Sequence, residues 1–179
     1  MADFSSQIEG NVKNLRRYAL ALVGDPSDAD DLVQETMKRA LTYAQNGQKI
    51  RDLRAYLFTI LHNVRLDNVM RANRAGLVVS LTDTAIQIPC PASQEARVRC
   101  RELSEALYRL SDEQRAVILL VALEGLSYQG AAEVLGIPIG TVMSRLNRGR
   151  AALKRSLGEM DTHAPSPGVQ DRAYQREAV

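Results

Sequence analysis

Ser127-Tyr-Gln-Gly-Ala-Ala-Glu-Val-Leu-Gly-Ile-Pro-Ile-Gly-Thr-Val-Met-Ser-Arg-Leu-Asn-Arg-Gly-Arg150 reads as two short helices joined by a tight turn. The Ser127 hydroxyl can accept a bond from an orphan amide and so cap the first helix. Gly136 suits the left-handed position that ends it, and Pro138 suits the first turn of the next. Ala131 and Ala132 are small where two helices must cross closely. The second helix, expected over 139–157, carries Ile139, Val142, Leu146, Gly149, Leu153 and Leu157 on one stripe. Thr141, Ser144, Arg148 and Arg155 fall on the opposite arc, with Met143 and Asn147 to one side and Arg145 at the boundary. From Gly136 to Leu157 there are five basic residues (Arg145, Arg148, Arg150, Lys154, Arg155) and no acid. A helix that is apolar behind and small, polar and cationic in front fits a DNA major groove. The alternative is a helical hairpin with a solvated basic face.

The rest of the chain is consistent with a helical protein. At 179 residues it has room for one large domain or two small ones. Net charge is only +2, so the basic helix is a directed surface on a nearly neutral molecule, not part of a general polycation. Hydrophobic residues make up 45% of the chain, but Trp is absent and Phe occurs twice, leaving Leu, Val, Ile and Ala to build the core. Cys90 and Cys100 lie at no zinc-ligand spacing from His62 or His163, and two reduced thiols are expected. No metal, cofactor or phosphate-cradling glycine loop is expected. No apolar run approaches membrane-spanning length and no signal peptide precedes the first helix, so a cytoplasmic protein with no direct membrane insertion is expected.

Upstream, helical spacing over 8–23 (Ile8, Val12, Leu15, Tyr18, Ala19, Leu22) ends at Gly24-Asp-Pro26. Ser27 is the expected cap of a helix reaching about Ala44, with Asp28, Asp30 and Asp31 favoured by the dipole of its first turn. A polar loop containing Asn46-Gly47 leads to a third helix over 53–74. Its apolar stripe is Leu53, Leu57, Ile60, Leu61 and Val64, and its other face carries Asn63, Arg65, Asp67, Arg71 and Arg74. Periodicity then fails. We expect a linker over 77–94, a second unit over 95–158 and a disordered tail over 159–179. In the second unit, Ser111-Asp-Glu-Gln114 has the form of a capping box ahead of a strongly apolar helix closed by Gly125. The fold class is all-α: two small helical domains, 8–76 and 95–158, joined by a flexible linker.

Two motifs, Asp30-Asp-Leu-Val-Gln-Glu-Thr36 and Leu126-Ser-Tyr followed by Leu-Gly-Ile-Pro-Ile-Gly-Thr-Val-Met-Ser-Arg-Leu146, give the chain its resemblance to the extracytoplasmic-function (group IV) RNA polymerase sigma factors. The resemblance covers about residues 8–158. It implies sigma regions 2 and 4 without region 3, and a dissociable promoter-recognition subunit that catalyses nothing itself. Asp31, Leu32, Gln34 and Glu35 match the motif that grips a coiled coil of the largest polymerase subunit, and region 4 implies contact with the polymerase flap. For the −10 element the resemblance implies Asn63, beside the base extracted from the non-template strand. The loop Asn46 to Lys49 then forms the other wall, and Lys49, Arg65, Arg71 and Arg74 lie near phosphates. For the −35 element it implies Thr141, Met143, Ser144 and Arg148 at the groove, with Arg145, Arg150 and Lys154 nearer the backbone. Met143 departs from the Lys or Arg often found there and suits a thymine methyl. Arg148 is the candidate for a bidentate guanine contact.

Tyr56 is expected in the core and Phe58 exposed, and so few rings imply weak intrinsic strand opening. Most relatives are held by an anti-sigma factor, so one is expected here. Two other readings stay open. One is a sigma mimic that sequesters an anti-sigma factor, against which the two basic faces and the lack of room for a receiver domain argue. The other is a dimeric helix-turn-helix regulator, which has no need of the acidic helix.

Overall fold

The computed structural model describes residues 2–45, 50–74 and 94–158, with side chains described from residue 7 and not at 95–96. Seven α-helices run in the order α1 (Ala2–Val23), α2 (Pro26–Gln45), α3 (Leu53–Arg74), α4 (Gln94–Tyr108), α5 (Asp112–Ile118), α6 (Tyr128–Leu135) and α7 (Ile139–Ser156). Among the described residues there is no strand, and the all-α class holds. No helix among them is long and apolar enough to cross a membrane.

Local chemistry sets most of the boundaries. Gly24, with φ of 86°, terminates α1 in the left-handed region open to glycine. The cap of α2 is not Ser27: the Asp25 carboxylate accepts the Asp28 amide at 2.9 Å, and the helix already begins at Pro26. Proline tolerates the first helical position because it has no amide to leave unpaired, which moves the cap from Ser27 to Asp25, two residues upstream. Asp52 does the same for α3, accepting the Ala55 amide at 3.0 Å. Ser111 accepts the Gln114 amide at 3.3 Å at the start of α5. That helix runs into a π-helical turn over Leu119–Leu123, which the apolar run did not signal.

α1, α2 and α3 form one antiparallel unit, and α4 to α7 form the second. The two units are not separate bodies: a single contiguous apolar cluster runs from Ile8 through Leu57 and Leu61 to Leu120, Val134 and Leu146. At its centre Tyr18 meets Phe58 edge-on, with ring centroids 5.2 Å apart. Phe58 is only 1% exposed, which corrects its expected place on the surface. Tyr56 is half-buried and packs against the edge of the core, as expected, with its ring tilted against Tyr43 at 5.0 Å. Both rings bear on the same i, i+2 ambiguity: on a helix buried against neighbours on several sides, periodicity over two positions does not say which faces inward.

Cys100 is disulfide-bonded and so corrects the expectation of two reduced thiols. Spacing in the sequence does not report such a pairing, because it depends on where the folded chain carries the sulfur. Cys90, the linker over 77–93 and the tail over 159–179 lie outside the described residues.

Candidate nucleic-acid interface

The helix-turn-helix is built as its residues dictate. Ser127 Oγ accepts the Gly130 amide at 3.0 Å and starts α6. Gly136 takes φ 63° and ψ 33° at its C-terminus, donating to the carbonyls of Ala132 and Glu133. Ile137 returns its amide to Ala132 at 3.1 Å, closing the turn that swings the chain into α7. The back of α7 is buried through Val142, Leu146 and Gly149. A methyl group at Gly149 would lie 2.6 Å from Ile118 Cδ1, so this glycine lets α7 lie close against α5.

The front of α7 is open. Ser144, Asn147, Arg148, Arg150, Lys154 and Arg155 are exposed, with Thr141 and Met143 half-buried at the edge. The Arg148 guanidinium lies back along its own helix, Nε donating to the Ser144 carbonyl at 3.3 Å. None of Arg148, Arg150 and Lys154 has an ion-pair partner among the described residues, so their charge faces solvent. A strip of this kind, cationic with small hydroxyls between the cations, can meet phosphates and base edges together. Arg145 is placed differently: it is half-buried and ion-paired with Glu113 at 2.8 Å. As it stands, the Arg145 charge is neutralised by α5 and is not offered to a DNA backbone, because position 145 lies at the seam between the two faces of α7.

The expected −10 surface is divided in the same way. Asn63, Arg71 and Arg74 are exposed on α3. Arg65 is drawn to the other unit and pairs with Asp112 at 3.1 Å. It shares a pocket of about 260 Å³ with His62, Arg145 and Ile137. Burial first, then the Arg65 and Arg145 charges, hold His62 below its ordinary value of 6.5. Asn46 and Lys49 lie outside the described residues. The half-exposed Tyr43 and Tyr56 pair stands at the two helix ends that flank that loop, a ring surface that sequence reasoning missed. Two tyrosines in different helices with a loop between them were the available signal.

On α2 the acidic motif splits by helical phase. Asp31 and Gln34 are exposed, and Glu35 is half-buried. Leu32 is 2% exposed and belongs to the core, which corrects its assignment to a partner-facing rim. The acids of this helix are partly engaged within the fold. Asp30 holds Arg16 at 2.6 Å and Glu35 holds Arg39 at 2.7 Å, and these arginines pull both carboxyls below their ordinary range. Asp31 has no ion-pair partner among the described residues, so it is the free carboxylate of the motif.

Comparison with known proteins gives matches to both halves. The family model described as sigma-70, region 4 matches residues 100–153, and the model described as the Sigma2 domain of PhyR matches residues 8–62. The chain is 37% identical to the ECF RNA polymerase sigma factor EcfG of Rhodopseudomonas palustris, over 82% of this chain and 80% of the relative. It is 39% identical to the ECF RNA polymerase sigma factor SigL of Mycobacterium tuberculosis, over 82% and 84%. Among solved structures it is similar to the sigma factor RpoE of Bartonella quintana, seen in complex with the anti-sigma factor NepR. That likeness has 30% identity and a TM-score of 0.74, and covers 88% of this chain and 98% of the other.

Proposed function

The chain belongs to the ECF RNA polymerase sigma factors, and we propose that it carries out their task through three surfaces, one each on α2, α3 and α7. It is an alternative sigma factor, which joins polymerase to promoters bearing its own −35 and −10 elements. α7 reads the −35 element: Thr141, Met143, Ser144 and Arg148 face the major groove, and Arg150 and Lys154 lie along phosphates. α3 meets the −10 element through Asn63, Arg71 and Arg74, with Asn46, Lys49 and the Tyr43 and Tyr56 rings beside it. α2 offers Asp31, Gln34 and Glu35 to a basic coiled coil of the largest polymerase subunit, where exposed carboxylates steer a cationic partner. The second unit contacts the polymerase flap. The domain limits are 8–76 and 95–158, with work in the cytoplasm where polymerase acts.

The observation that carries this reading is the open face of α7: a helix-turn-helix whose front carries unpaired cations and hydroxyls and no carboxylate, on a chain whose other half presents a free acid at the polymerase motif. The test is reconstitution. With core polymerase and a promoter cloned upstream of a start site mapped after overexpression, the protein is expected to give specific run-off transcripts. Absence of association with core polymerase would defeat the reading, however tightly the protein bound oligonucleotides.

A cognate anti-sigma factor is the expected partner, since the similar RpoE is held by NepR. The match of residues 8–62 to a domain of PhyR favours one second reading, a mimic that binds an anti-sigma factor in place of a promoter. Specific transcription in the reconstituted system separates the two, because a mimic gives none.

A further inference from the structure

The first part of α3 builds the core: Leu57, Phe58, Ile60, Leu61 and Val64 are buried. Beyond Val64 the helix changes character. No residue from Arg65 to Arg74 is buried, yet two large apolar side chains stand on the outside of that stretch. Leu66 is 43% exposed, and Met70, at 54%, is the most exposed large apolar side chain among the described residues. One such residue alone needs no explanation, since folded surfaces carry many. These two lie one turn apart and share their direction with polar neighbours. At 3.6 residues per turn, Asn63, Leu66, Met70 and Arg74 fall within one arc of about 80°, with Asn73 and Arg71 at its two edges. Leu66 also borders the pocket of about 260 Å³ shared with the second unit, whereas Met70 stands clear of it.

The charge on this face selects its partner. Arg71 and Arg74 are exposed and have no ion-pair partner among the described residues. Asp67, the one acid in α3, is already held by Arg39 at 3.4 Å. A face with free cations and no free carboxylate favours a polyanion. Within a DNA major groove, guanidinium groups meet phosphates, amides meet base edges, and thymine presents the C5 methyl as an apolar group. An unbranched, adaptable thioether suits such a methyl well.

We propose, on the assignment of α3 to the −10 element, that Met70, backed by Leu66, is a specificity-determining residue that lies against a thymine methyl in the duplex edge of that element. The seven residues from Asn63 to Met70 span about 10 Å of helix, or roughly three base-pair steps. The thymine therefore lies that far from the base at Asn63. It lies on the side of the −35 element, because the chain runs on from α3 to the unit that reads it.

The test uses full-length protein, core polymerase and the mapped promoter, with each thymine of the −10 region replaced in turn by deoxyuridine. That replacement removes the methyl and leaves base pairing intact. At limiting holoenzyme, wild type is expected to initiate about fourfold less when one particular thymine is changed, the factor for burying a single methyl group. Met70→Ala should initiate less on the unmodified promoter and lose its sensitivity to deoxyuridine at that position. Met70→Leu should keep the sensitivity, and Leu66→Ala should reduce it. Val98→Ala, which trims a side chain 53% exposed on α4, should behave as wild type. Far-UV circular dichroism verifies that the helices persist in each variant. Wild type that transcribes normally and responds to deoxyuridine at no position would overturn the proposal and leave the sigma reading standing. So would Met70→Ala that keeps the wild-type response, including a variant whose loss lies in binding core polymerase alone. Wild type that gives no transcript on any template would overturn the sigma reading and this proposal together.

Discussion

At the scale of single residues, Arg148 and Lys154 look alike in composition and differ in position. Arg148 lies on the arc with Ser144, along a strip that fits a groove floor, and Lys154 lies six residues further on, turned off that arc toward the rim. Arg148→Ala is therefore expected to cost about 1–3 kcal/mol at one or two base positions and to relax specificity there. Lys154→Ala should weaken every sequence alike and lower the salt slope by about one unit. Fluorescence anisotropy across a mismatched −35 panel at several salt concentrations separates the two. Equal loss on all sequences for Arg148→Ala would remove it from the groove. Arg145 shows what composition hides: it has the same chemistry as its neighbours, yet Glu113 already occupies it.

At the scale of elements, α6 and its turn rest on one hydroxyl and one glycine. Removing the Ser127 cap leaves the Gly130 amide without its acceptor, so Ser127→Ala is expected to cost about 1 kcal/mol in urea unfolding. α3 carries a pH response. Burial and the nearby Arg65 and Arg145 cations favour neutral His62, with the Asp112 and Glu113 carboxylates lining the same pocket. Its folded pKa therefore lies below its unfolded one. Above about pH 6.5 both states carry neutral histidine and the stabilisation is complete. As pH falls below that, the unfolded chain takes up the proton first and stability declines. Asp30 and Glu35, held low by Arg16 and Arg39, lose their contribution only in the more acidic carboxylate range. Thermal unfolding from pH 7.5 to 5.5 should show the decline in wild type and a flatter profile in His62→Gln. Identical slopes would mean that the imidazole is not the group titrating.

At the scale of the whole molecule, the shared core ties the two units into one folding problem. Leu120 is fully buried where they meet. Leu120→Ala is expected to destabilise by about 2–5 kcal/mol, and hydrogen exchange should show lost protection in α1 and α3 as well as in α5. Loss confined to α4–α7 would mean that the units unfold independently. The burial of Phe58 leaves Tyr43 and Tyr56 as the rings beside the face proposed for the −10 element, and with so few stacking platforms strand opening should depend on good promoter sequence. Permanganate footprinting on promoters with a degraded −35 element should therefore show little opening. Robust reactivity there would refute this.

The sequence by itself determined the helices, the cap at Ser127, the left-handed turn at Gly136 and the cationic front of α7. All of these follow from interactions within a few residues, where periodicity and backbone preference act directly. The family was legible for the same reason, because its motifs are local. Tertiary structure alone decided that Leu32 and Phe58 face inward, that Arg65 and Arg145 are already paired, and that Glu124 is buried between arginines 70 and 107 positions away. Such pairings depend on which surfaces meet in three dimensions. Two units joined by an aperiodic stretch leave no trace in their own sequences of how they will seat against each other.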